Sequence, residues 1–263
     1  MTTPIRHPTQ SIKLAFPNAQ NHMLDARLDR PADVEPHAYV IICHCFTCTK
    51  ETLTTSRVSR GLAQAGFGVL RFDFTGLGDS SGQFADSHFT TMVSDVLSAS
   101  AYLTQHYSAP VALLGHSMGG TAVLAAAMQI PSCTTVITLA SPSHPSHVLH
   151  HFGPAMNKLE SGVDAEIRVA GVAYPVKPQF IHDVRQYSFE EKLTGFNLPI
   201  LAIRAGKDSL VPASDADEIL ALTSAEHQLF ELENADHLFS DRQDTQAMIE
   251  AISQWLYIYS NFE

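Results

Sequence analysis

The sequence predicts an α/β protein built on a mostly parallel sheet with helices on both faces. Short β-rich runs alternate with helix-like runs from about residue 38 to residue 140, and the alternation resumes at residue 198. With 263 residues and 45% apolar content, the chain is long enough to bury a substantial core. We therefore expect one α/β domain over residues 1–263.

The predicted elements follow a regular order. In the first alternation we predict strands at "AYVIIC" (38–43), "FGVLRFDF" (67–74), "PVALLG" (110–115) and "TTVITLA" (134–140), with helices at about 52–65, 88–107 and 118–130. In the second we predict strands at "LPILAIRAG" (198–206) and "EHQLFELEN" (226–234), with helices at about 214–223 and 240–259. Ahead of them, "SIKLAF" (11–16) and "MLDARLD" (23–29) predict an antiparallel hairpin at the sheet edge.

The alternation of predicted strands and helices stops at Pro142 and resumes near Pro199. The intervening chain carries a run rich in proline and histidine, a hairpin-like stretch at 165–176 and an amphipathic stretch at 179–193. It has too few apolar residues for a core of its own, so we expect a small lid insertion at about 142–198 rather than a second domain.

Charge and hydropathy exclude several classes of partner. The net charge is −11 and no run of lysine or arginine occurs, so we expect no nucleic acid partner. The N-terminus lacks the pattern of a secretory signal and no apolar run approaches the length of a spanning helix, which predicts a cytoplasmic protein with no membrane partner. In that compartment we expect the four cysteines to be packing, reactive or metal-binding groups rather than disulfides. The oligomeric state is not indicated.

The stretch "GHSMG" contains the strongest chemical signal. Gly115, Ser117 and Gly119 match G-x-S-x-G directly after a predicted strand and directly before a predicted helix, which is the context of a nucleophile elbow. A serine on such a sharp turn is strained, and side chains two residues away on either side would collide with neighbouring backbone. Ser117 is therefore the candidate nucleophile. The adjacent His116 must face away from it and is predicted to pack or to donate a hydrogen bond.

A serine nucleophile needs a base, and the base needs a group that orients it. In a fold of this type the acid and then the histidine follow late strands, which selects Asp208 and His237. Asp215 and Asp217 belong to a predicted helix. Asp236 adjoins the histidine in sequence, which makes a hydrogen bond to Nδ1 awkward.

With these residues in place, the chain resembles the α/β-hydrolase superfamily over nearly its whole length. The resemblance rests on "GHSMGG" (115–120), "DFTGLGDS" (73–80), "RAGKDSLVP" (204–212) and "ADHLF" (235–239). It implies an eight-stranded hydrolase sheet of the serine aminopeptidase-like or esterase type. More narrowly, "HCFTCTKE" with "VLRFDFTGLGDSSGQF" looks like the hydrolase module that some bacteria carry fused to an OsmC-like domain.

The same resemblance gives the oxyanion hole. One donor is the backbone N–H after the nucleophile, at Met118, and the other comes from the loop after the third strand. Here "HCFTCT" is similar to an H-G-F-T-G-type loop, which assigns the second donor to the amide of Phe46, with Cys45 as the alternative.

The cysteines and histidines suggest metal sites that the spacing does not support. C-x-C-x-x-C supplies at most three sulfurs without a second ligand pair, so we expect the cysteines to be small buried side chains, with a reactive Cys45 or Cys48 as the alternative. His147 and His151 are four residues apart, but no carboxylate accompanies them, so they are expected on a polar lid surface near the cleft with His144 and His150. The glycines of "TGLGDSSG" do not open a helix, so we expect neither a dinucleotide nor any other cofactor or metal.

Together these features predict a serine hydrolase acting on small acyl esters through an acyl-enzyme. Candidate substrate-binding residues lie in the insertion: Phe152, Met156, Tyr174, Phe180 and Tyr187. A peptidase or amidase on the same triad is an alternative, although no acidic cluster for a substrate amine is evident beyond Glu160 and Glu166. A thiol or redox-linked protein that uses Cys45 or Cys48 is the other alternative.

Overall fold

One mostly parallel sheet of eight strands forms the centre of the protein. The computed structural model describes residues 6–260, apart from the side chain of Glu190. The sheet strands are β1 (Thr9–Pro17), β2 (Met23–Pro31), β3 (Tyr39–Cys43), β4 (Gly68–Phe72), β5 (Pro110–His116), β6 (Thr135–Leu139), β9 (Ile200–Ala205) and β10 (His227–Leu232). A separate antiparallel pair contains β7 (Ala165–Val169) and β8 (Val172–Val176).

The order of the strands across the sheet is β1-β2-β4-β3-β5-β6-β9-β10. From β4 to β10 every neighbouring pair is parallel, whereas β1 pairs with β2, and β2 with β4, in the antiparallel direction. Every residue of β3, β4 and β6 is buried, as expected for central parallel strands covered on both faces. The predicted α/β class and the edge hairpin are confirmed.

Helices cover both faces of this sheet. The α-helices of the described residues are α1 (Leu53–Gln64), α2 (Phe89–His106), α3 (Met118–Ala127), α4 (Ala155–Glu160), α5 (Pro178–Gln186), α6 (Phe189–Lys192), α7 (Ala213–Leu220) and α8 (Arg242–Tyr259), and α4 to α6 belong to residues 142–198 outside the sheet layers. Apolar side chains of α2 and α3 belong to one buried cluster, and those of α1 and α8 belong to a second cluster. Among the described residues, no helix is both long enough and apolar enough to cross a membrane.

Residues 142–198 contain a short 3-10 helix (Pro145–His151), then α4, the β7–β8 pair, α5 and α6. The apolar side chains Val148, Phe152, Leu159 and Phe180 are buried in the same cluster as those of α2 and α3. This stretch, which we call segment 142–198, therefore packs onto the helices that cover one face of the sheet.

Candidate active site

Ser117 occupies the turn between β5 and α3. Its φ is +53° and its ψ is −128°, a left-handed conformation that non-glycine residues rarely adopt. The turn is held because the Ser117 amide donates to the Leu139 carbonyl at 2.8 Å and the Gly120 amide donates to the Ser117 carbonyl at 2.8 Å. The strain at this position is of the kind that concentrates at functional sites.

The glycines on either side of Ser117 are required by close backbone contacts. A Cβ atom on Gly115 would lie 2.3 Å from the Gly119 carbonyl oxygen, and one on Gly119 would lie 2.4 Å from the His44 carbonyl oxygen. The collision predicted from the sequence is therefore present. The second contact also shows that the loop after β3 runs directly beside the serine turn.

Asp208 follows β9, and His237 follows β10. His237 Nδ1 donates to Asp208 Oδ2 at 2.7 Å, and the other carboxylate oxygen, Oδ1, accepts from the amides of Leu210 at 2.8 Å and Val211 at 3.0 Å. Burial opposes ionisation of Asp208, but these hydrogen bonds outweigh it and hold the pKa of the carboxyl below its usual value. The Asp208 carboxylate is therefore ionised, accepts three hydrogen bonds and faces the imidazole of His237.

His116 supports His237 from the side away from solvent. It is fully buried, and its Nε2–H donates to the backbone carbonyl of His237 at 2.7 Å. Its Nδ1 has no hydrogen-bond partner among the described residues. Burial and the nearby His237 lower the pKa of His116 to about 3, so this imidazole stays neutral and fixes the loop that carries His237.

Ser117 and His237 line the same small cavity, whose volume is about 20 Å³. Phe46 and Met118, the two residues predicted to supply oxyanion donors, are also in its wall. The remaining lining residues are Pro142, His147, Val148, His150, His151, Leu210 and Val211. The space is about that of one water molecule, and three histidines and a valine of the 3-10 helix at 145–151 form part of its wall.

The five residues predicted to bind substrate lie elsewhere. Phe152, Phe180 and Tyr187 are buried, Met156 and Tyr174 are half-buried, and none is among the described residues that line the cavity at Ser117. Phe180 packs against the ring of Phe46 with centroids 5.7 Å apart, and the Tyr174 hydroxyl donates to the Thr47 carbonyl at 3.1 Å. These side chains join segment 142–198 to the loop after β3.

Histidines line the cavity where the sequence placed a polar surface. His151 is stacked on the Phe46 ring with centroids 6.1 Å apart, and burial together with the neighbouring His150 and His147 lowers its pKa to about 4. His147 Nε2 donates to the Leu210 carbonyl at 2.9 Å. Their place beside the site is in keeping with the polar surface near the cleft that the sequence predicts, and their orientation follows from the packing of the 3-10 helix.

The loop after β3 is oriented by His44, whose role the sequence did not reveal. This buried imidazole donates from Nδ1 to the Cys45 carbonyl at 2.8 Å and accepts the Phe74 amide at Nε2 at 3.2 Å. Because a trans peptide is planar, fixing the Cys45 carbonyl also directs the Phe46 N–H to the opposite side. His44 thus sets the direction of the predicted oxyanion donor.

Lys50 anchors the far end of this loop. Its side chain is 2% exposed, and its ammonium lies 2.6 Å from Asp73, 2.7 Å from Asp25 and 3.0 Å from Asp79. The Lys50 amide also donates to Asp73 at 2.6 Å. Three carboxylates surround this lysine, a network that no pattern in the sequence indicates.

The prediction that cysteines remain unpaired is wrong for one pair. Cys45 and Cys48 form a disulfide, with Cα atoms 5.2 Å apart. The two residues come within disulfide range because they begin and end one turn, in which the Cys48 amide donates to the Cys45 carbonyl at 3.1 Å. Cys43 and Cys133 are free and buried, as predicted, and burial raises the pKa of each thiol.

Comparisons with known proteins show the family of the chain. The pattern of the family described as "Serine aminopeptidase, S33" matches residues 34–181. This chain belongs to the serine aminopeptidase S33 family. Its similar structures are α/β-hydrolases and esterases. The link to modules fused to an OsmC-like domain stays a prediction.

Individual relatives are similar over much of the chain. The esterase domain of a Rhodothermus marinus protein is 31% identical, with 96% of this chain and 100% of that chain covered and a TM-score of 0.76. Est1E from Butyrivibrio proteoclasticus, with ferulic acid bound, is 19% identical, covers 93% of this chain and 98% of its own, and has a TM-score of 0.74. The Homo sapiens mitochondrial palmitoyl-protein thioesterase ABHD10 is 26% identical over 202 residues, which cover 71% of this chain. The chain spans 60% to 62% of the length of the curated relatives it matches.

Proposed function

We propose that this protein is a serine hydrolase that cleaves small carboxylic esters through an acyl-enzyme. The observation that supports the proposal is the 2.7 Å hydrogen bond from His237 to Asp208, because His237 lines the same cavity as the strained Ser117. A buried ionised carboxylate that orients a histidine beside an elbow serine is the arrangement that activates a hydroxyl for acyl transfer.

In the proposed reaction, the Ser117 hydroxyl attacks the ester carbonyl carbon while His237 Nε2 removes its proton. Asp208 holds Nδ1–H, which keeps Nε2 free to act as the base and stabilises the imidazolium that forms. The tetrahedral intermediate collapses when His237 returns the proton to the departing alcohol. Water then attacks the acyl-enzyme by the same route and releases the carboxylic acid.

The oxyanion of each tetrahedral intermediate is assigned to the amides of Phe46 and Met118. Both residues line the cavity with Ser117, and His44 directs the Phe46 N–H through the Cys45 carbonyl. Donors fixed before the reaction stabilise the developing charge without reorganisation, and one such donor is worth about 10²–10³-fold in kcat.

The small size of the cavity leads us to propose that segment 142–198 acts as a lid. A space of about 20 Å³ does not hold an acyl chain, so the 3-10 helix at 145–151 has to move before substrate binds. Phe152, Met156, Tyr174, Phe180 and Tyr187, which join the segment to its surroundings, are then proposed to contact the acyl group as the lid opens.

The surroundings of the site favour an ester over a peptide. Glu160 pairs with Arg185 at 2.6 Å and Glu166 pairs with Arg168 at 3.4 Å, and neither glutamate is among the described residues that line the cavity. Neither glutamate therefore lies beside Ser117, where it could bind the amine of a peptide substrate. The disulfide likewise leaves neither Cys45 nor Cys48 as a free thiol nucleophile.

A substrate panel tests the proposal. Aryl esters of increasing acyl length, one acyl thioester and one aminoacyl anilide are assayed with wild type, Ser117→Ala and Ser143→Ala. Ser143 is a matched control because its hydroxyl contacts Glu218 and it does not line the cavity. We expect short esters to be hydrolysed fastest, with Ser117→Ala reduced at least about 10⁴-fold and Ser143→Ala little changed. Preference for the anilide, or activity that survives Ser117→Ala, would contradict the proposal.

A further inference from the structure

The Cys45–Cys48 disulfide closes the turn that carries the proposed oxyanion donor. Phe46 and Thr47 are the two central residues of this turn, which the Cys48 amide completes by donating to the Cys45 carbonyl. Neither the ester chemistry nor the fold requires a covalent link at this place. Its position nevertheless connects any change in the disulfide directly to the Phe46 N–H.

The turn is strained at Thr47. This residue has a φ of +59°, and a β-branched side chain is strongly disfavoured in that left-handed region. A turn with positive φ at its third position ordinarily contains glycine or asparagine there. Something must hold the chain in this conformation, and the cross-link between the first and fourth residues of the same turn does so.

Anchors on both sides confine any movement to the turn. His44 holds the peptide before Phe46 through the Cys45 carbonyl, and Lys50 is fixed by its amide and its ammonium to Asp73. A cavity of about 10 Å³ lies next to the turn and is lined by Cys45, Phe46 and Thr47 among others. The Cys45 carbonyl, on the same peptide as the Phe46 N–H, accepts from both His44 and the Cys48 amide. Opening the cross-link lets the Cys48 amide withdraw, which leaves this peptide held by one hydrogen bond instead of two.

We propose that Cys45 and Cys48 form a thiol–disulfide exchange site, and that reduction of the pair by a thiol lowers ester turnover by loosening the peptide that carries the Phe46 amide. The coupling rests on the proposed function, whereas the exchange itself does not. The co-reactant is a small thiol or dithiol in one direction and a disulfide in the other.

The exposure of the two residues sets the order of the exchange. Cys48 is half-buried and Cys45 is 5% exposed, so a reductant thiolate reaches the Cys48 sulfur first. A bond forms between the two sulfurs, the Cys45–Cys48 bond breaks, and Cys45 leaves with the electron pair and takes a proton. A second thiolate then attacks the reductant sulfur of the mixed disulfide and frees Cys48. Two reductant thiols are oxidised to one disulfide while the protein disulfide is reduced to two thiols.

The other two cysteines do not compete in this chemistry. Cys43 and Cys133 are buried, and burial raises the pKa of both thiols, which suppresses the reactive thiolate. Cys133 lies far along the chain, before β6, and its thiol donates to the Thr135 carbonyl at 3.3 Å. Cys133→Ser therefore serves as a matched control.

The experiment compares the folded protein before and after treatment with dithiothreitol. Native protein is alkylated with iodoacetamide and mapped by mass spectrometry, and kcat and KM are measured on a short aryl ester. We expect new alkylation at Cys45 and Cys48 only, and a fall in kcat of at least about fivefold, bounded by the 10²–10³-fold expected for complete loss of one donor. KM should change little, and reoxidation with oxidised glutathione should restore kcat. Cys133→Ser should respond like wild type.

Two variants distinguish the effect of opening the Cys45–Cys48 cross-link from other effects of dithiothreitol on the protein. Cys45→Ser/Cys48→Ser should have the low kcat of reduced wild type, and dithiothreitol should not change that kcat. Thr47→Gly relieves the positive-φ strain, so it should lose clearly less activity on reduction than wild type does.

The possible failures are distinguishable. Equal kcat in the oxidised and reduced forms, or a double serine variant as active as oxidised wild type, would overturn the coupling and leave the proposed function standing. Failure of dithiothreitol to expose Cys45 and Cys48 in the folded protein would overturn the exchange site. Absence of ester hydrolysis in both forms would overturn the proposed function together with the coupling.

Discussion

The substitution Asp208→Asn has a consequence that can be worked out from the hydrogen bonds of this side chain. In the native protein, Oδ1 accepts from the amides of Leu210 and Val211, and Oδ2 accepts from His237 Nδ1–H. An asparagine must keep its oxygen towards the two amides, because its NH₂ group cannot accept from them. The NH₂ group is thereby directed at His237.

A donor facing Nδ1 forces His237 into the tautomer that carries its proton on Nε2. That nitrogen can then no longer take the proton of Ser117, so the rate loss should approach the loss of the base itself. We expect kcat/KM to fall about 10³–10⁴-fold, or about 4–5.5 kcal/mol of transition-state stabilisation, with the fold and KM little changed.

The assay is ester hydrolysis with wild type, Asp208→Asn and Asp236→Asn. Asp236 is the neighbouring carboxylate, and it accepts from the Ser240 amide at 2.9 Å rather than from His237. Asp236→Asn should remain within about threefold of wild type, in the range of a surface change. The reasoning is refuted if Asp208→Asn keeps more than a tenth of the wild-type rate, or if Asp236→Asn is the more damaging substitution.

Three further predictions concern stability and support. Lys50→Met leaves the buried Asp73 without its ammonium partner and should lower the free energy of unfolding by about 3–5 kcal/mol in urea titrations, with partial recovery in Lys50→Met/Asp73→Asn. The folded pKa of Asp208 lies below its usual value, so its contribution to stability is complete above about pH 4 and is lost as the pH falls further. The difference in the free energy of unfolding between wild type and Asp208→Asn should therefore be smaller at pH 3 than at pH 7. His116→Phe removes the hydrogen bond to the His237 carbonyl and should lower kcat more than it raises KM, whereas equal shifts in both would contradict a positioning role.

The fold could be predicted because its signal is local. The buried strands β3, β4 and β6 are short apolar runs separated by helical patterns, and that alternation leaves few arrangements other than a parallel sheet covered by helices. The positions of Asp208 and His237 were predictable for a related reason. The carboxyl ends of neighbouring parallel strands meet at one edge of a sheet, and β9 and β10 are neighbours.

The supports of the site could not be predicted, because they depend on tertiary contacts. Threonine disfavours the positive φ that Thr47 has in the structure. The residue types of "CFTC" therefore do not predict this turn. His44 is a ring whose two nitrogens acquire partners only when β3 and residue 74 come together. The lysine within three carboxylates likewise joins residues from β2, the loop after β3 and the loop after β4.

The lining of the cavity was the least predictable part. The histidines at 147, 150 and 151 lie on a 3-10 helix that begins at a proline, where neither a period of 3.6 nor a period of 2 applies. The aromatic residues expected in the pocket instead pack segment 142–198 against the rest of the protein. Side-chain type indicated that this segment belongs near the site, but its orientation there depends on packing.

The most direct test of the account is to trap the acyl-enzyme and locate it. Wild type and Ser117→Ala are incubated with a short aryl ester and quenched in acid, and in parallel with a fluorophosphonate, and the adduct is mapped by peptide mass spectrometry. We expect one acyl or phosphonyl group on Ser117 and no adduct on the alanine variant. An adduct on a cysteine, or on another serine in both proteins, would contradict it.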